Sequence, residues 1–270
     1  MTAVALDHVG VVTRDLAALA ERYERLGFTL SPLARQADGR IGNRCAIMRR
    51  GYIELLAVVD PTAVSATLER FLARYAGVHI LAFGFADENA ELARLRRAGV
   101  EAPHVHRFDR PIDDRDPDGA RARFALIQVP EQPEGLINLV RHLTPEALWQ
   151  ERFLRHPNKA TALAEVMIAV DDPATTAARF SRLVGCPVVP DPMGGFALDL
   201  AHGRVRLMNC PPSVAAAPRV VSLTVRTSDR NKAIGRRLVA QGIAHCREAD
   251  ALLVDQAAAG GVAICFRPAP

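Results

Sequence analysis

The sequence predicts an α+β protein in which four βαβββ modules pair into two domains, and three observations predict it. One local grammar recurs four times along the 270 residues: an apolar strand, an Asp suited to cap a helix, an amphipathic stretch, and a Gly suited to end it. The Asp and Gly pairs are Asp15 to Gly27, Asp87 to Gly99, Asp172 to Gly185 and Asp229 to Gly242. Extended segments separated by turn residues follow each helical stretch, and a polar connection between the second and third repeats divides the chain into halves.

The first module opens on the strand LDHVGVV. Its helix, LAALAERYERLG, puts Leu16, Leu19, Ala20, Tyr23 and Leu26 on one stripe at the helical period. After Gly27 come FTLSPLARQ, NRCAIMRR and YIELLAVV, parted by ADGRIG and Gly51. The second module runs VHILAFGF, ENAELARLRRAG, EAPHVHRF, ARFALIQV and LINLVRH, with DRPIDDRDPDGA as a Pro-interrupted loop. The third and fourth start at AEVMIAV and VVSLTV and keep the order with shorter connections, Gly194–Gly195 and Gly260–Gly261 reading as hairpin turns. Between the halves Thr144 and Pro145 are suited to start a short helix, for which Trp149 is the packing anchor. The expected division is a domain over 1–145, a linker helix over 146–160 and a second domain over 161–270.

Composition narrows the function. The net charge of +4 is carried by arginine, since Lys159 and Lys232 are the only lysines, and arginines alternate with acids, which reads as solvated faces rather than a nucleic-acid stripe. Five cysteines without CxxC pairing fit a reducing, cytoplasmic compartment. No basic segment precedes the first apolar run and no apolar stretch has the length of a membrane span, so neither secretion nor insertion is expected. The chain carries no P-loop, GxSxG elbow, strand-linked GxGxxG or CxxC motif.

Two paired modules form a curved sheet whose concave face is the natural ligand site. Through LDHVGVVTRDL, GYIELLAV, VHILAFG and RHLTPEALWQ the sequence resembles the vicinal-oxygen-chelate superfamily, and within it the glyoxalase, bleomycin-resistance and extradiol-dioxygenase kind. The resemblance implies a divalent ion in the cleft, Fe, Mn, Ni or Zn, held from the first and last strands of the paired modules. It implies a small substrate bound through neighbouring oxygens, and a homodimer. Residue by residue, His8 matches the first-strand ligand of module one, Glu54 the last-strand carboxylate and His79 the first-strand ligand of module two. The fourth position falls on Asn138, a departure. His142, four residues on in the same strand, is a candidate substitute.

Two imidazoles and a carboxylate with open positions suit such an ion acting as a Lewis acid, with Glu54 also the catalytic carboxylate. His79 requires an added condition. Counting back from Asp87 as His8 counts back from Asp15 lands on Ile80, so a bulge or longer turn near Gly84 must shift the strand. Glu54 inside YIELLAVV must be exposed, paired or ligating, because burial alone costs several kcal/mol or more. His104, His106 and Asp109 are read as cleft-mouth or solvated residues, and His156 and His202 as loop residues. At the corresponding positions the second half presents Glu165, Arg206, Ser222 and Ile264, which make no metal shell, so a structural, dimerising or cleft-covering role is expected there.

The reaction expected is lyase or isomerase chemistry of the glyoxalase type, ahead of extradiol ring cleavage. Ring-cleaving relatives of two domains keep the metal in the C-terminal pair, whereas the ligand-like residues here lie in the N-terminal pair. The competing reading is a metal-free binder or resistance protein with an arginine-lined cleft.

Overall fold

The structure, a computed structural model, describes residues 4–36, 39–101, 103–210 and 218–269. The first sheet contains β1 (Ala5–Val12), β2 (Ala34–Arg35), β3 (Ile41–Ile47), β4 (Tyr52–Val58), β5 (Gly77–Gly84), β6 (Val105–Pro111), β7 (Arg121–Gln128) and β8 (Leu136–His142). The second contains β9 (Ala160–Val170), β10 (Val189–Pro190), β11 (Phe196–Asp199), β12 (Arg204–Asn209), β13 (Arg219–Thr227), β14 (His245–Glu248), β15 (Ala251–Val254) and β16 (Ala263–Pro268). The orders are β2-β3-β4-β1-β5-β8-β7-β6 and β10-β11-β12-β9-β13-β16-β15-β14, the same permutation twice. In each sheet the two modules meet where their first strands pair antiparallel, β1 with β5 and β9 with β13, and each first strand lies parallel to its own module's last. This is the α+β arrangement of four paired modules that the repeat predicts.

The module helices are α1 (Leu16–Arg25), α3 (Glu88–Arg97), α6 (Pro173–Val184) and α7 (Lys232–Ala240). Asp15, Asp87 and Asp172 cap the first three by accepting from Ala18, Ala90 and Thr175 amides, which satisfies donors that the first helical turn leaves free. The fourth starts later than its Asp. Asn231 occupies the cap in the left-handed region at φ 63°, and Asp229 reaches past it to the Ala233 amide at 2.7 Å. Gly27, Gly99, Gly185 and Gly242 end the helices at φ 86°, 74°, 74° and 62°, a conformation that a Cβ disfavours.

Three elements differ from the sequence reading. The segment 28–36 pairs as a strand only at β2, because Pro32 cannot donate to a ladder. A further helix, α2 (Ala66–Arg74), lies between the modules, with Ser65 accepting from the Leu68 amide and Leu68 and Phe71 buried. The linker is two short turns, α4 (Pro145–Leu148) and α5 (Glu151–Leu154). Thr144 does not cap α4; its hydroxyl donates to the Arg121 carbonyl and accepts from the Arg123 amide, tying the linker to β7.

One apolar cluster runs through both halves, joining Val9, Val11 and Phe83 to Val166, Ile168 and Phe180. Buried polar contacts cross the same boundary. Arg94 is clamped by Glu91, which has no exposed surface, and donates to the Arg182 and Leu183 carbonyls at the end of α6. Arg179 forks onto Glu134 at 2.7 and 2.9 Å. Among the described residues no helix is long and apolar enough to cross a membrane.

Candidate functional site

The concave face of the first sheet holds a cleft of about 380 Å³ that includes His8, Asn43, Tyr52, Glu54, Arg110 and Asn138. A groove of about 530 Å³ elsewhere is larger, but it contains no imidazole, and its single carboxylate, Asp15, is occupied as the cap of α1. The N-terminal cleft is therefore where the chemistry-bearing side chains converge.

The centre of the cleft is set by a one-residue irregularity in β1. Leu6 pairs with Phe83 and His8 with Ala82, so Asp7 is an extra residue in the ladder. A bulge of this kind cancels the alternation of faces and brings neighbouring side chains together. Asp7 Oδ1 consequently lies 2.7 Å from His8 Nδ1, and the same carboxylate lies 3.0 and 3.1 Å from His142 Nε2. Burial alone would raise the Asp7 pKa. The hydrogen bonds and positive potential of the two imidazoles outweigh it and hold the carboxyl far below the usual range.

The His8 ring stacks on Tyr52 at 4.4 Å, and its Nε2 lies 3.9 Å from Glu54 Oε2. The Asn43 side-chain amide donates to Glu54 Oε1, while Asn43 Oδ1 and Asn138 Oδ1 are buried oxygens with no partner among the described residues. Burial pushes the Tyr52 hydroxyl well above its ordinary pKa and the Cys45 thiol up to about 12, so both are neutral near pH 7. His142 does not line the cleft. It sits behind His8, edge-on to Trp149 at 4.7 Å, and the Trp149 indole donates to the Met48 carbonyl at 3.0 Å. The linker thus braces the histidine pair.

The structure brings His8, Glu54 and Asn138 to the cleft and leaves His79 outside it. Residues 80–84 of β5 pair one by one and put Ile80 into the cleft, whereas His79 is left outside it, the extra residue where the ladder slips between Ile80, opposite Gly10, and Val78, opposite Val11. There His79 stacks between Phe71 and Tyr75 at 4.7 and 4.1 Å, and its Nε2 donates to the Tyr75 carbonyl. Burial pushes its pKa down to about 4, keeping it neutral. Helix α2, which the sequence reading lacked, supplies this pocket.

The remaining histidines fall elsewhere. His104 and His106 are exposed and edge-on to each other at 4.1 Å. Asp109 is engaged by Arg121. His156 is more than a loop residue: buried, it accepts from the Thr29 amide at 3.0 Å and donates to the Ile47 carbonyl at 2.8 Å. His202 gives its carbonyl to the Leu6 amide at 2.7 Å.

These positions bear on the implied divalent ion. His8 Nε2 and Glu54 Oε2 oppose each other, but the two other strand positions carry Ile80 and Asn138. No group of three His, Cys, Asp or Glu side chains that could hold a metal occurs among the described residues. Two ionisable donors and neutral amides are a poor match for Fe, Ni or Zn sites, which take three or more imidazole, thiolate or carboxylate ligands. The residues present do not fit a resident ion of the implied kind.

The corresponding place in the second half is filled by ions. Glu165 stands where His8 does and Arg206 where Glu54 does, 3.6 Å apart, and Arg206 forks onto Asp191 at 2.7 and 2.8 Å. The ladder puts Ser222, as expected from the sequence, and Cys265 at the positions of Ile80 and Asn138; Ile264, expected there in place of Cys265, is one residue out of phase and buried in the core.

Paired βαβββ modules around a concave cleft define the vicinal-oxygen-chelate superfamily, and this protein has that fold. More narrowly, the chain belongs to the glyoxalase-like domain family, whose model matches residues 6–184. A hypothetical protein from Staphylococcus aureus superposes with a TM-score of 0.69 at 11% identity, covering 98% of this chain and 100% of its own. The Mn(II)-bound glyoxalase from Novosphingobium aromaticivorans gives 0.63 at 13% identity, with 99% and 83% covered. A catechol 2,3-dioxygenase gives 0.58 at 15%, with 100% and 95% covered. At these identities the likeness is one of fold. A curated relative from Clavibacter sepedonicus, a demethylmenaquinone methyltransferase, is 35% identical over 91 residues, and the match spans 33% of this chain and 37% of that protein.

Proposed function

We propose that the protein is an enzyme that moves a proton on a small, oxygen-bearing substrate in the N-terminal cleft, an isomerase or lyase of the glyoxalase type, with His8 and Glu54 as its proton carriers. One observation carries the reading: Asp7 holds His8 through Nδ1 and leaves Nε2 facing Glu54 across 3.9 Å. A carboxylate on Nδ1 fixes the tautomer in which Nε2 carries the lone pair, the orientation that a general base requires. The gap is too wide for a direct hydrogen bond, which leaves both groups free to meet a substrate from the open side of the cleft.

In this reading one of the pair removes the proton from the hydroxyl-bearing carbon and delivers it to the neighbouring carbonyl carbon, while the other takes the hydroxyl proton and passes it to the carbonyl oxygen, so that both carriers end as they began. The Asn43 and Asn138 side chains offer polar contacts to oxygens that gain charge on the way. No step is assigned to a metal, because the described donors do not assemble a site for one.

The test is exchange of substrate C–H for deuterium in D2O, followed by NMR, over 2-hydroxy aldehydes, 2-hydroxy acids and methylglyoxal thiohemiacetals, with and without chelator. Exchange in the native protein that persists with chelator and disappears in His8→Ala and Glu54→Gln is expected. Equimolar divalent metal in protein purified without chelator, absent from the His8→Ala, Glu54→Ala double variant, would restore the metal-dependent reading. A yellow product from catechol, Fe(II) and oxygen would replace isomerisation with ring cleavage. Ligand binding without exchange of any substrate would make the cleft a binding site only.

A further inference from the structure

Arg110 is a buried cation without an anion. It lies on β6, is 6% exposed, and lines the same cleft as His8 and Glu54. Among the described residues no carboxylate comes within ion-pair distance of it. Three largely buried arginines elsewhere each have a carboxylate: Arg94 has Glu91, Arg179 has Glu134 and Arg206 has Asp191. What surrounds Arg110 is neutral. Its guanidinium is 5.8 Å from the centroid of Phe124 and beside the Cys45 thiol. Glu54, the carboxylate of the cleft, is engaged by Asn43 and turned toward His8.

Removing a guanidinium from water without a counter-charge is costly, and a protein keeps such a group where a ligand supplies the charge. Its planar fork matches a carboxylate in two parallel hydrogen bonds. The wall beside it is apolar: Phe108 and Phe124 stack at 4.9 Å, and Ile80, Leu126 and Leu136 continue the surface. One cation and an apolar wall in about 380 Å³ describe a small monoanion with a hydrocarbon body.

Resting on the reading that this cleft is the substrate site, we propose that its substrate is a carboxylate with a short apolar or aromatic body, the carboxylate docked on Arg110 and the body against Phe108 and Phe124. This assigns Arg110 as the specificity-determining residue of the cleft and sets its binding role apart from the proton transfer of His8 and Glu54.

Calorimetric titration with 3-phenyllactate, its methyl ester, lactate and phenyl phosphate tests it. The native protein should bind 3-phenyllactate at least about tenfold more tightly than the ester, the factor that one charge-assisted contact supplies, and at least about tenfold more tightly than lactate, which keeps the carboxylate and lacks the ring that Phe108 and Phe124 would hold. Arg110→Gln should lower acid binding to the level of the ester and leave the ester unchanged. Arg110→Lys, which keeps the charge and loses the fork, should fall between; if Arg110→Gln fails to fold, an undiminished affinity in Arg110→Lys overturns the docking. Equal binding of acid and ester, a preference that survives Arg110→Gln, tighter binding of phenyl phosphate, or no binding of any probe also overturns it. His8→Ala should retain acid binding. If it does while deuterium exchange survives in that variant, the proton-transfer reading fails and the substrate assignment stands.

Discussion

Replacing Asp7 with Asn keeps the shape of the side chain and removes the charge that two imidazoles share. The native carboxylate is met at 2.7, 3.0 and 3.1 Å by His8 and His142, and the side chains involved are only 10–12% exposed, so water screens the interaction weakly. Hydrogen bonds to a charged group contribute about 1.5–3 kcal/mol each, and breaking a buried charged network costs about 3–5 kcal/mol. Because Asn can still bond one imidazole, the expected loss is about 3 kcal/mol, or roughly 6–12 °C in Tm for a chain of this size.

The pH dependence has a definite sign. The folded-state pKa of Asp7 lies below its ordinary value of 3.8, so the stabilisation is complete above that value and fades as pH falls below it toward the folded-state pKa. The difference between native and variant protein should therefore be flat from neutral pH down to about 5 and shrink below about 4. Urea denaturation with unchanged slope measures the loss, and a double-mutant cycle with His142→Ala isolates the shared term. Substrate exchange should fall by about 10²–10⁴ with KM little changed, since the orientation of the base is what is lost. A stability loss under about 1 kcal/mol, the worth of an exposed ion pair, would refute the buried-network argument.

Other perturbations have separate outcomes. His79→Ala should cost about 2–4 kcal/mol through its lost stacking on Phe71 and Tyr75, yet leave 3-phenyllactate binding unchanged in calorimetry. Because the unfolded chain takes up a proton on this histidine near pH 6.5 and the folded chain resists until about pH 4, its contribution to stability should fall by about 1.4 kcal/mol per pH unit across that window; denaturation at pH 7, 6 and 5 against His79→Phe reads the slope. Glu91→Ala leaves Arg94 buried against carbonyls without its carboxylate and should lower stability by about 3 kcal/mol in urea titration. Gly135→Ala sets a Cβ 2.2 Å from the His79 carbonyl oxygen at φ 128°, so a loss of about 1–3 kcal/mol in thermal unfolding is expected.

The repeat was legible because its punctuation is local. An Asp at a helix start and a Gly at its end bond within a few residues, so their spacing survives in the sequence whatever the tertiary surroundings do. Glu54 stood out because a carboxylate in an apolar strand needs a reason to be there, and His8 because of its place in the repeat. What the sequence concealed depends on strand phase. His79 and Ile80 are adjacent, and only the pairing of β5 with β1 decides which enters the cleft. Ile264 and Cys265 repeat the same one-residue ambiguity in the second half. Asp7 was hidden because a bulge has no side-chain signature, and Arg110 because its distinction is the missing counter-ion, which no reading of a charged loop-and-strand segment can show. Helix α2 was passed over for want of the Asp-to-Gly punctuation, though Ser65, Leu68 and Phe71 carry a cap and a helical spacing.

The bulge in β1 also shapes how this centre can change. In most acid–base sites a histidine and its orienting carboxylate come from distant segments and must be aligned by the whole domain. Here they are consecutive residues whose alignment comes from a single slip in one ladder. The dyad is thus written as a dipeptide, and a strand that acquires the slip acquires the orientation with it. Conversely, deleting one residue between Leu6 and Val9 would restore strict alternation and dismantle the pair without disturbing a helix or a hairpin.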